Sequence, residues 1–390
     1  MLKGVIFDMD GVITDTEPVH AAAAQKVLER LGIFTDLSYC YDFIGRPAIK
    51  LFEDALHGYP GITRTPEELL QENNVLLAEL FAENGHPQVP HVVSFIRHLK
   101  EAGLSLAIAS SSALPVIRQV VEEFGIADAF TALVSGATLP NPKPAPDIFL
   151  LAAKELGLSA KECLVIEDSA VGTMAAKAAG IPCIGFVNPN SGVQDLSRAY
   201  ALLESFASAD AAYLRRTHAH ALGEPAEILT TERLLVREFA EDDFPAVFAM
   251  CKKPENADGL NEPLSDYETE KEKHSAYLSF VYPFFDLALW GIYETSTGRL
   301  VGRAGFSAVE EEGAGYSLGY LIDTPYQKNG YAKECVPALL SYAKALGTPS
   351  VTAKIKKANT ASLRVLAACG YPYRLESDSA DTLIYRILLS

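Results

Sequence analysis

Along the first half of the chain, short runs of apolar residues alternate with longer stretches whose apolar positions recur at helical spacing. Gly4–Phe7, Leu104–Ala109 and Cys163–Ile166 are continuous apolar runs, the pattern of strands buried on both faces of a parallel sheet. Between them lie amphipathic segments at Val92–Ala102, Ala113–Phe124, Pro146–Leu156 and Ser169–Ala179. From Lys3 to about Val187 this alternation predicts a doubly wound α/β domain.

Residues from Pro18 to about Glu83 break the rhythm. They predict helices at His20–Leu31, Ala48–Leu56 and Pro66–Ala82, a helical cap inserted after the first strand over roughly residues 16–88. Between Ser205 and Thr231 the apolar period fades into an Ala-rich stretch carrying Arg215, Arg216, His218 and His220. It predicts a final helix that runs either into a linker or into a packed interdomain helix. After Thr231, strands are predicted at Arg233–Glu238, Ala288–Glu294, Leu300–Phe306, Tyr316–Ile322 and Ser350–Ile355. Helices are predicted at Phe244–Cys251, Gly330–Leu346 and Asn359–Cys369. Strands leading into one long helix predict an α+β domain. The expected division is residues 1–220, a linker at 221–229, and residues 230–390.

At 390 residues the chain exceeds one ordinary core, which agrees with two domains. Hydrophobic content of 49% and charged content of 21% are those of a soluble globular protein. No apolar run approaches the roughly 20 residues that span a bilayer. The apolar stretch Gly4–Phe7 runs at once into Asp8 and Asp10, which excludes a signal-peptide core. Six scattered cysteines form no C-x-x-C pair, so the expected compartment is the reducing cytoplasm. A net charge of −17 argues against nucleic acid or an anionic membrane as partner, and any phosphate site must supply its own positive charge.

Candidate chemistry falls at strand ends, where a parallel sheet places its ligand crevice. The first strand ends in Asp8-Met9-Asp10-Gly11, two carboxylates suited to sharing a hard cation while one attacks and the other moves protons. The next ends in Ser110-Ser111-Ser112, offering a hydroxyl and backbone N–H groups to phosphate oxygens. Lys143 lies in the proline-stiffened stretch Asn141–Pro146, and its ammonium can offset developing negative charge. A second acidic pair, Glu167-Asp168, follows Cys163–Ile166.

The segments FDMDGVITDTE, SSS, KPAPDIF and IEDSAVG, in that order, resemble the motifs of the haloacid dehalogenase (HAD) superfamily, in particular its β-phosphoglucomutase-like branch with a helical cap. The resemblance implies a Rossmann-like parallel sheet and a magnesium-dependent phosphatase acting on a small, sugar-like phosphate monoester. By it, Asp8 is the nucleophile and forms an aspartyl-phosphate, and Asp10 is general acid and then base. Ser110 and Lys143 bind the phosphoryl group, with Ser111 beside it. Asp8, the Asp10 carbonyl and Asp168 hold Mg2+, with Glu167 in support. His20 matches a cap-hinge histidine, and Gly45-Arg46 a cap loop that grips a distal phosphate. A hexose-phosphate mutase is the alternative. Ala113 stands where mutases carry a lysine, and Thr65–Asn84 holds no Lys or Arg, which tilts the expectation toward hydrolysis.

In the second half, the predicted strand Gly319–Ile322 is followed by Gln327-Lys328-Asn329-Gly330-Tyr331-Ala332 and a long helix, whose unpaired N–H groups suit a pyrophosphate. With TERLLVREF, WGIYE, GRLVGRAGF and NTASLRVLAACGY, this half resembles the GNAT acyl-CoA N-acyltransferases. The resemblance implies acetyl-CoA as co-substrate and an amine acceptor. It places Leu321, Ile322 and Gln327–Ala332 on the cofactor, with Asn359 and Ser362 beside its arm. Lys328 and Asn329 stand where many relatives have glycine. Glu310, Glu311 and Glu312 read as a solvated charge run, and Tyr371 as either a thiolate acid or a packing residue. The alternative for this half is a non-catalytic CoA-binding or interaction module.

Overall fold

The computed structural model describes residues 1–43, 48–259, 263–309 and 315–390. The chain forms two compact units, Met1–Leu222 and Gly223–Ser390.

The first unit is built on a six-stranded parallel sheet in the order β3-β2-β1-β4-β5-β6, with β1 at Gly4–Phe7, β2 at Ser105–Ser110, β3 at Ala132–Ser135, β4 at Cys163–Glu167, β5 at Cys183–Phe186 and β6 at Ala201–Leu203. Alternate residues leave opposite faces of a strand. Val5 and Phe7 accordingly pack with Leu106, Ile108, Leu164 and Ile166, whereas Ile6 packs on the other face with Ala107, Ala109 and Val165. Burial on both faces explains why these strands read as unbroken apolar runs. The cap follows β1: α1 (Glu17–Arg30), α2 (Leu37–Tyr41), α3 (Ile49–His57) and α4 (Pro66–Asn84) close around their own core, centred on Val27, Leu28, Phe52 and Leu69. Thr65 and Glu68 form a reciprocal capping box at the start of α4. Between the strands run α5 (Val92–Glu101), α6 (Leu114–Glu123), α7 (Asp147–Glu155) and α8 (Ala170–Ala178). The closing helix α9 (Ala211–Ala221) buries Ala211 and Leu214 against the sheet.

The second unit carries an eight-stranded sheet in the order β13-β14-β12-β11-β10-β9-β8-β7. Its strands are β7 (Glu227–Thr230), β8 (Leu234–Arg237), β9 (Leu289–Glu294), β10 (Leu300–Ala308), β11 (Tyr316–Ile322), β12 (Ser350–Lys356), β13 (Tyr373–Asp378) and β14 (Thr382–Leu388). Its helices are α10 (Phe244–Cys251), α11 (Tyr267–Phe280), α12 (Tyr331–Ala345) and α13 (Thr360–Ala367). Val336, Leu339 and Leu340 of α12 pack with Trp290 and Phe306, while Met250 and Cys251 of α10 pack with Leu321.

Several elements differ from the sequence reading. Residues 227–229 were expected in a linker, but they lie in β7, paired with β8. The strands β3, β5, β6, β13 and β14 and the helices α2 and α11 were not predicted. Helix α11 buries no residue completely and every residue of β13 is exposed, so neither carries an apolar period to read. Among the described residues, no helix is long and apolar enough to cross a membrane.

Candidate active site

The register of the first sheet aligns three strand ends. Phe7 pairs with Ile108 on one side and with Ile166 on the other. Asp8, Ser110, Glu167 and Asp168 therefore emerge at one edge, where the sheet order changes direction around β1 and a doubly wound fold opens its crevice. Lys143, from the loop before α7, enters from the side. Its Nζ lies 2.6 Å from Asp8 Oδ1 and 2.7 Å from Glu167 Oε1.

The electrostatics follow from burial. Loss of solvent pushes the Asp8 carboxyl up to about 7; Lys143 pulls it back, and Glu167 and Asp10 push further. Asp168 is also held well above the usual carboxylate range by burial, then by Glu167 and Asp8, against the Ser191 hydrogen bond and Lys143. Burial alone would lower the Lys143 ammonium, but Asp8 and Glu167 outweigh it and hold it firmly charged. Ligand oxygens of Asp8, Glu167 and Asp168 all lie within 4.8 Å of one another. One lysine does not neutralise these three carboxylates with Asp10 beside them. The donor set, hard oxygens in a charge deficit, fits a divalent cation.

Neighbouring groups hold these carboxylates in place. Ser112 Oγ donates to Asp10 Oδ2 at 2.9 Å and Ser110 Oγ to the same oxygen at 3.2 Å, while the Ser112 N–H donates to Ser110 Oγ at 3.0 Å. Ser111, expected at the phosphoryl group, is exposed. Alternation past the end of β2 turns it away from the Asp10 carboxylate that its two neighbours reach. Glu167 Oε2 accepts from the Ser169 N–H at 2.6 Å and from its hydroxyl at 2.9 Å. Ser191 Oγ donates to Asp168 Oδ2. Gly11, at φ +87°, leaves room for that carboxylate, since a Cβ there would sit 1.8 Å from Asp168 Oδ2.

The loop after β5, which the sequence reading passed over, reaches the hinge of the cap. Asn188 Nδ2 donates to the Gly11 carbonyl at 2.9 Å, and Asn190 Nδ2 to Asp15 Oδ2 at 2.6 Å. The two chain crossings between cap and core pair through Asp15 N–H to the Pro87 carbonyl at 2.9 Å and Val89 N–H to the Ile13 carbonyl at 3.1 Å. His20, the expected hinge histidine, is exposed on α1 and stands edge-on to Phe81 at 6.0 Å. Arg46 lies outside the described residues.

In the second unit, β11 and β12 run parallel but are in register only at Tyr316 with Val351 and Ser317 with Thr352. Beyond this the strands splay and leave a cavity of about 170 Å³, lined among others by Tyr320, Asn359 and Ser362. Tyr320 donates to Ser362 Oγ at 3.0 Å across the opening, and Asn359 Oδ1 caps α13 by accepting from the Ser362 N–H at 3.0 Å. Leu321 and Ile322 are buried, whereas Gln327, Lys328, Asn329 and Gly330 are exposed ahead of α12. Lys328 at φ +65° and Gly330 at φ +86° turn that loop, Gln327 Nε2 ties it to the Ile322 carbonyl at 2.9 Å, and Tyr331 and Ala332 open the helix. Tyr371 is half-buried against the unit's core. Glu310–Glu312 lie outside the described residues.

Comparison with known proteins matches this geometry. The haloacid dehalogenase-like hydrolase family fits residues 2–180, and the acetyltransferase (GNAT) domain family fits residues 233–372. A putative phosphatase, YhcW, of Bacillus subtilis is 35% identical over 217 residues, covering 55% of this chain and 96% of that protein. The chain belongs to the haloacid dehalogenase-like hydrolases. This hydrolase is also 32% identical to the phosphoglycolate phosphatase of Salmonella paratyphi A over 47% of its own length and 81% of the relative. Hexitol phosphatase B of Escherichia coli is 32% identical over 46% of the chain and 80% of the relative. The protein is thus an enzyme that joins a HAD-type phosphatase to a GNAT acetyltransferase domain.

Proposed function

We propose that the first unit is a magnesium-dependent phosphatase for a small, sugar-like phosphate monoester, working through an aspartyl-phosphate on Asp8. The observation that carries this is the buried Lys143 bridging Asp8 and Glu167, with Asp168 alongside. An Asp8 oxygen attacks phosphorus as the ester P–O bond breaks, and Asp10 gives its proton to the leaving oxygen. Water then attacks the phosphorus of the aspartyl-phosphate and gives its proton to Asp10. The bond to Asp8 breaks and inorganic phosphate leaves. Ser110 and Ser112 hold the Asp10 carboxylate for both transfers, and Lys143 offsets charge on the phosphoryl oxygens. Magnesium, held by Asp8, the Asp10 carbonyl and Asp168 with Glu167 in support, would neutralise the phosphoryl group for attack.

Hydrolysis is favoured over phosphoryl return to a sugar by the cap. Its Arg30 pairs with Glu72 at 2.7 Å, Lys50 with Glu53 at 2.6 Å and Arg64 with Glu68 at 2.9 Å, so these cations are turned to the cap's own carboxylates. The relatives' names, phosphatases of phosphoglycolate and of hexitols, also support a small monoester. The test is phosphate release from a panel of phosphorylated sugars and small acids, with and without magnesium, alongside Asp8→Asn. Release that needs the metal and vanishes in the variant supports the reading; isomerised sugar phosphate without stoichiometric phosphate overturns it in favour of a mutase.

For the second unit we propose an acetyl-CoA-dependent N-acetyltransferase, with the cofactor arm in the splay between β11 and β12 and its pyrophosphate at the loop before α12. Gly330→Ala, which strains the loop at φ +86°, is expected to weaken acetyl-CoA binding about tenfold by calorimetry. Unchanged affinity would remove the loop from the site.

A further inference from the structure

The segment TERLL at the start of the second unit folds back on the loop before α12. Arg233 stands immediately ahead of β8, and its carbonyl accepts from the Thr295 N–H at 2.9 Å, so its backbone is held at the end of the β8–β9 pair. From there its side chain reaches the start of the helix. Nε donates to Glu334 Oε2 at 2.8 Å, and Nη2 lies 2.6 Å from the same oxygen. Nη1 donates to the Asn329 carbonyl at 3.0 Å. The guanidinium also stands over the Tyr331 ring, 4.9 Å from its centroid.

Glu334 fixes the direction of that reach. Its Oε1 accepts from the Arg233 backbone N–H at 2.9 Å and from the Thr231 hydroxyl, which leaves Oε2 for the guanidinium. A second tie runs beside it. Tyr331 donates its hydroxyl to Glu294 Oε1, and Glu294 stands opposite Leu234 in the β8/β9 ladder. The first turn of α12 is therefore fastened at two points to the end of this strand pair.

The contact with Asn329 decides where the next N–H points. A trans peptide is planar, and its C=O and N–H leave in opposite directions. With the Asn329 carbonyl drawn toward Arg233, the Gly330 N–H of the same peptide is turned away from it. Gly330, at φ +86°, is the residue ahead of α12, and its own carbonyl accepts from the Glu334 N–H at 3.1 Å. The N–H groups of Gly330 and of the first helical residues have no carbonyl behind them in the helix, and such groups suit an anion. Because Glu334 already meets the charge of Arg233, the guanidinium acts on the loop.

We propose that Arg233 is a positioning residue for acetyl-CoA: by holding the Asn329 carbonyl it keeps the Gly330 N–H aimed at the cofactor's pyrophosphate. The proposal rests on the acetyltransferase reading of the second unit. A peptide free to turn would offer the phosphates its oxygen as readily as its N–H, and ordering it would cost part of the binding energy.

The test titrates two ligands into the full chain by calorimetry, with chelator present to idle the first unit. One is acetyl-CoA; the other is S-acetylpantetheine, which lacks the pyrophosphate. Arg233→Met is expected to weaken acetyl-CoA about tenfold and to leave S-acetylpantetheine within about twofold of wild type. Arg233→Lys, which can reach Glu334 but has no planar fork to span both partners, should fall between. Unchanged acetyl-CoA affinity in Arg233→Met overturns the proposal. So does an equal loss for both ligands, which a general disturbance of the unit would produce. If the wild-type chain binds no acetyl-CoA, the acetyltransferase reading itself fails, and this proposal with it.

Discussion

His86 and Glu123 fasten the returning cap segment to the core. Glu123 Oε1 accepts from the His86 backbone N–H at 2.6 Å, and Oε2 lies 2.8 Å from His86 Nδ1. On its other side the imidazole stacks on Phe81 of the cap helix α4, with ring centroids 4.5 Å apart. One side chain therefore touches both bodies that must close on a substrate. His86→Ala is expected to raise KM for the natural phosphate ester about tenfold while leaving turnover of p-nitrophenyl phosphate, too small to need the cap, within about twofold. His86→Asn, which keeps a donor near Nδ1, should recover part of the loss. Steady-state kinetics on both substrates check this.

Gly172 of α8 is pressed against Glu167. A Cβ at that position would lie 1.6 Å from Glu167 Oε1, the oxygen that receives Lys143. Gly172→Ala must displace the carboxylate, whose oxygens and carbon all lie within 2.5 Å of the added Cβ. We expect a loss of about 1–3 kcal/mol in stability and of a hundredfold or more in kcat. Denaturant titration and phosphate release measure the two separately.

Glu17, at the start of α1, has its carboxyl raised to about 7, first by burial and then by the charges of Asp10 and Asp15. A carboxyl raised on folding is protonated more readily in the native state than in the unfolded one. The Glu17 contribution to stability should therefore be greatest below about pH 4.5, fall as pH rises toward about 7, and level off above it. Glu17→Gln should remove that part of the slope. Melting temperatures of wild type and variant between pH 4.5 and 8, with chelator present, are the measurement; parallel profiles would contradict it.

Ser191 supports Asp168 through a buried hydrogen bond. If the site takes magnesium as proposed, Ser191→Ala should weaken its binding about tenfold without abolishing it, whereas Asp168→Asn should leave the melting temperature unchanged on adding magnesium. Calorimetric titration of metal into each variant decides between graded and complete loss.

The parts of the fold that could be read in advance are those whose burial imposes a period. β11 was predicted residue for residue because it is pinned between β10 and the core, and the strands bearing Asp8, Ser110 and Glu167 stood out as unbroken apolar runs. Asp8, Asp10, Lys143, Glu167 and Asp168 were singled out because chemistry at strand ends narrows the residue types, and the structure brings these five together. That Ser112 joins Ser110 on the Asp10 carboxylate was not legible, since it depends on how the chain turns after β2. The supporting residues Asn188, Asn190 and Ser191 sit in an irregular loop, and the His86–Glu123 contact joins residues 37 apart. Neither leaves a periodic mark, so only the folded chain reveals them.

The central position of β1 carries a consequence in time. It pairs with β2 on one edge and with β4 on the other, and β4 begins at Cys163. At synthesis rates of about 5–20 residues per second, roughly 8–30 s separate the emergence of β1 from that of its second neighbour. Until β4 emerges, a wholly apolar strand keeps at least one open edge that must be shielded from other nascent chains. The cap, which has its own core and lies immediately after β1 in the chain, is placed to fold first and stand beside it.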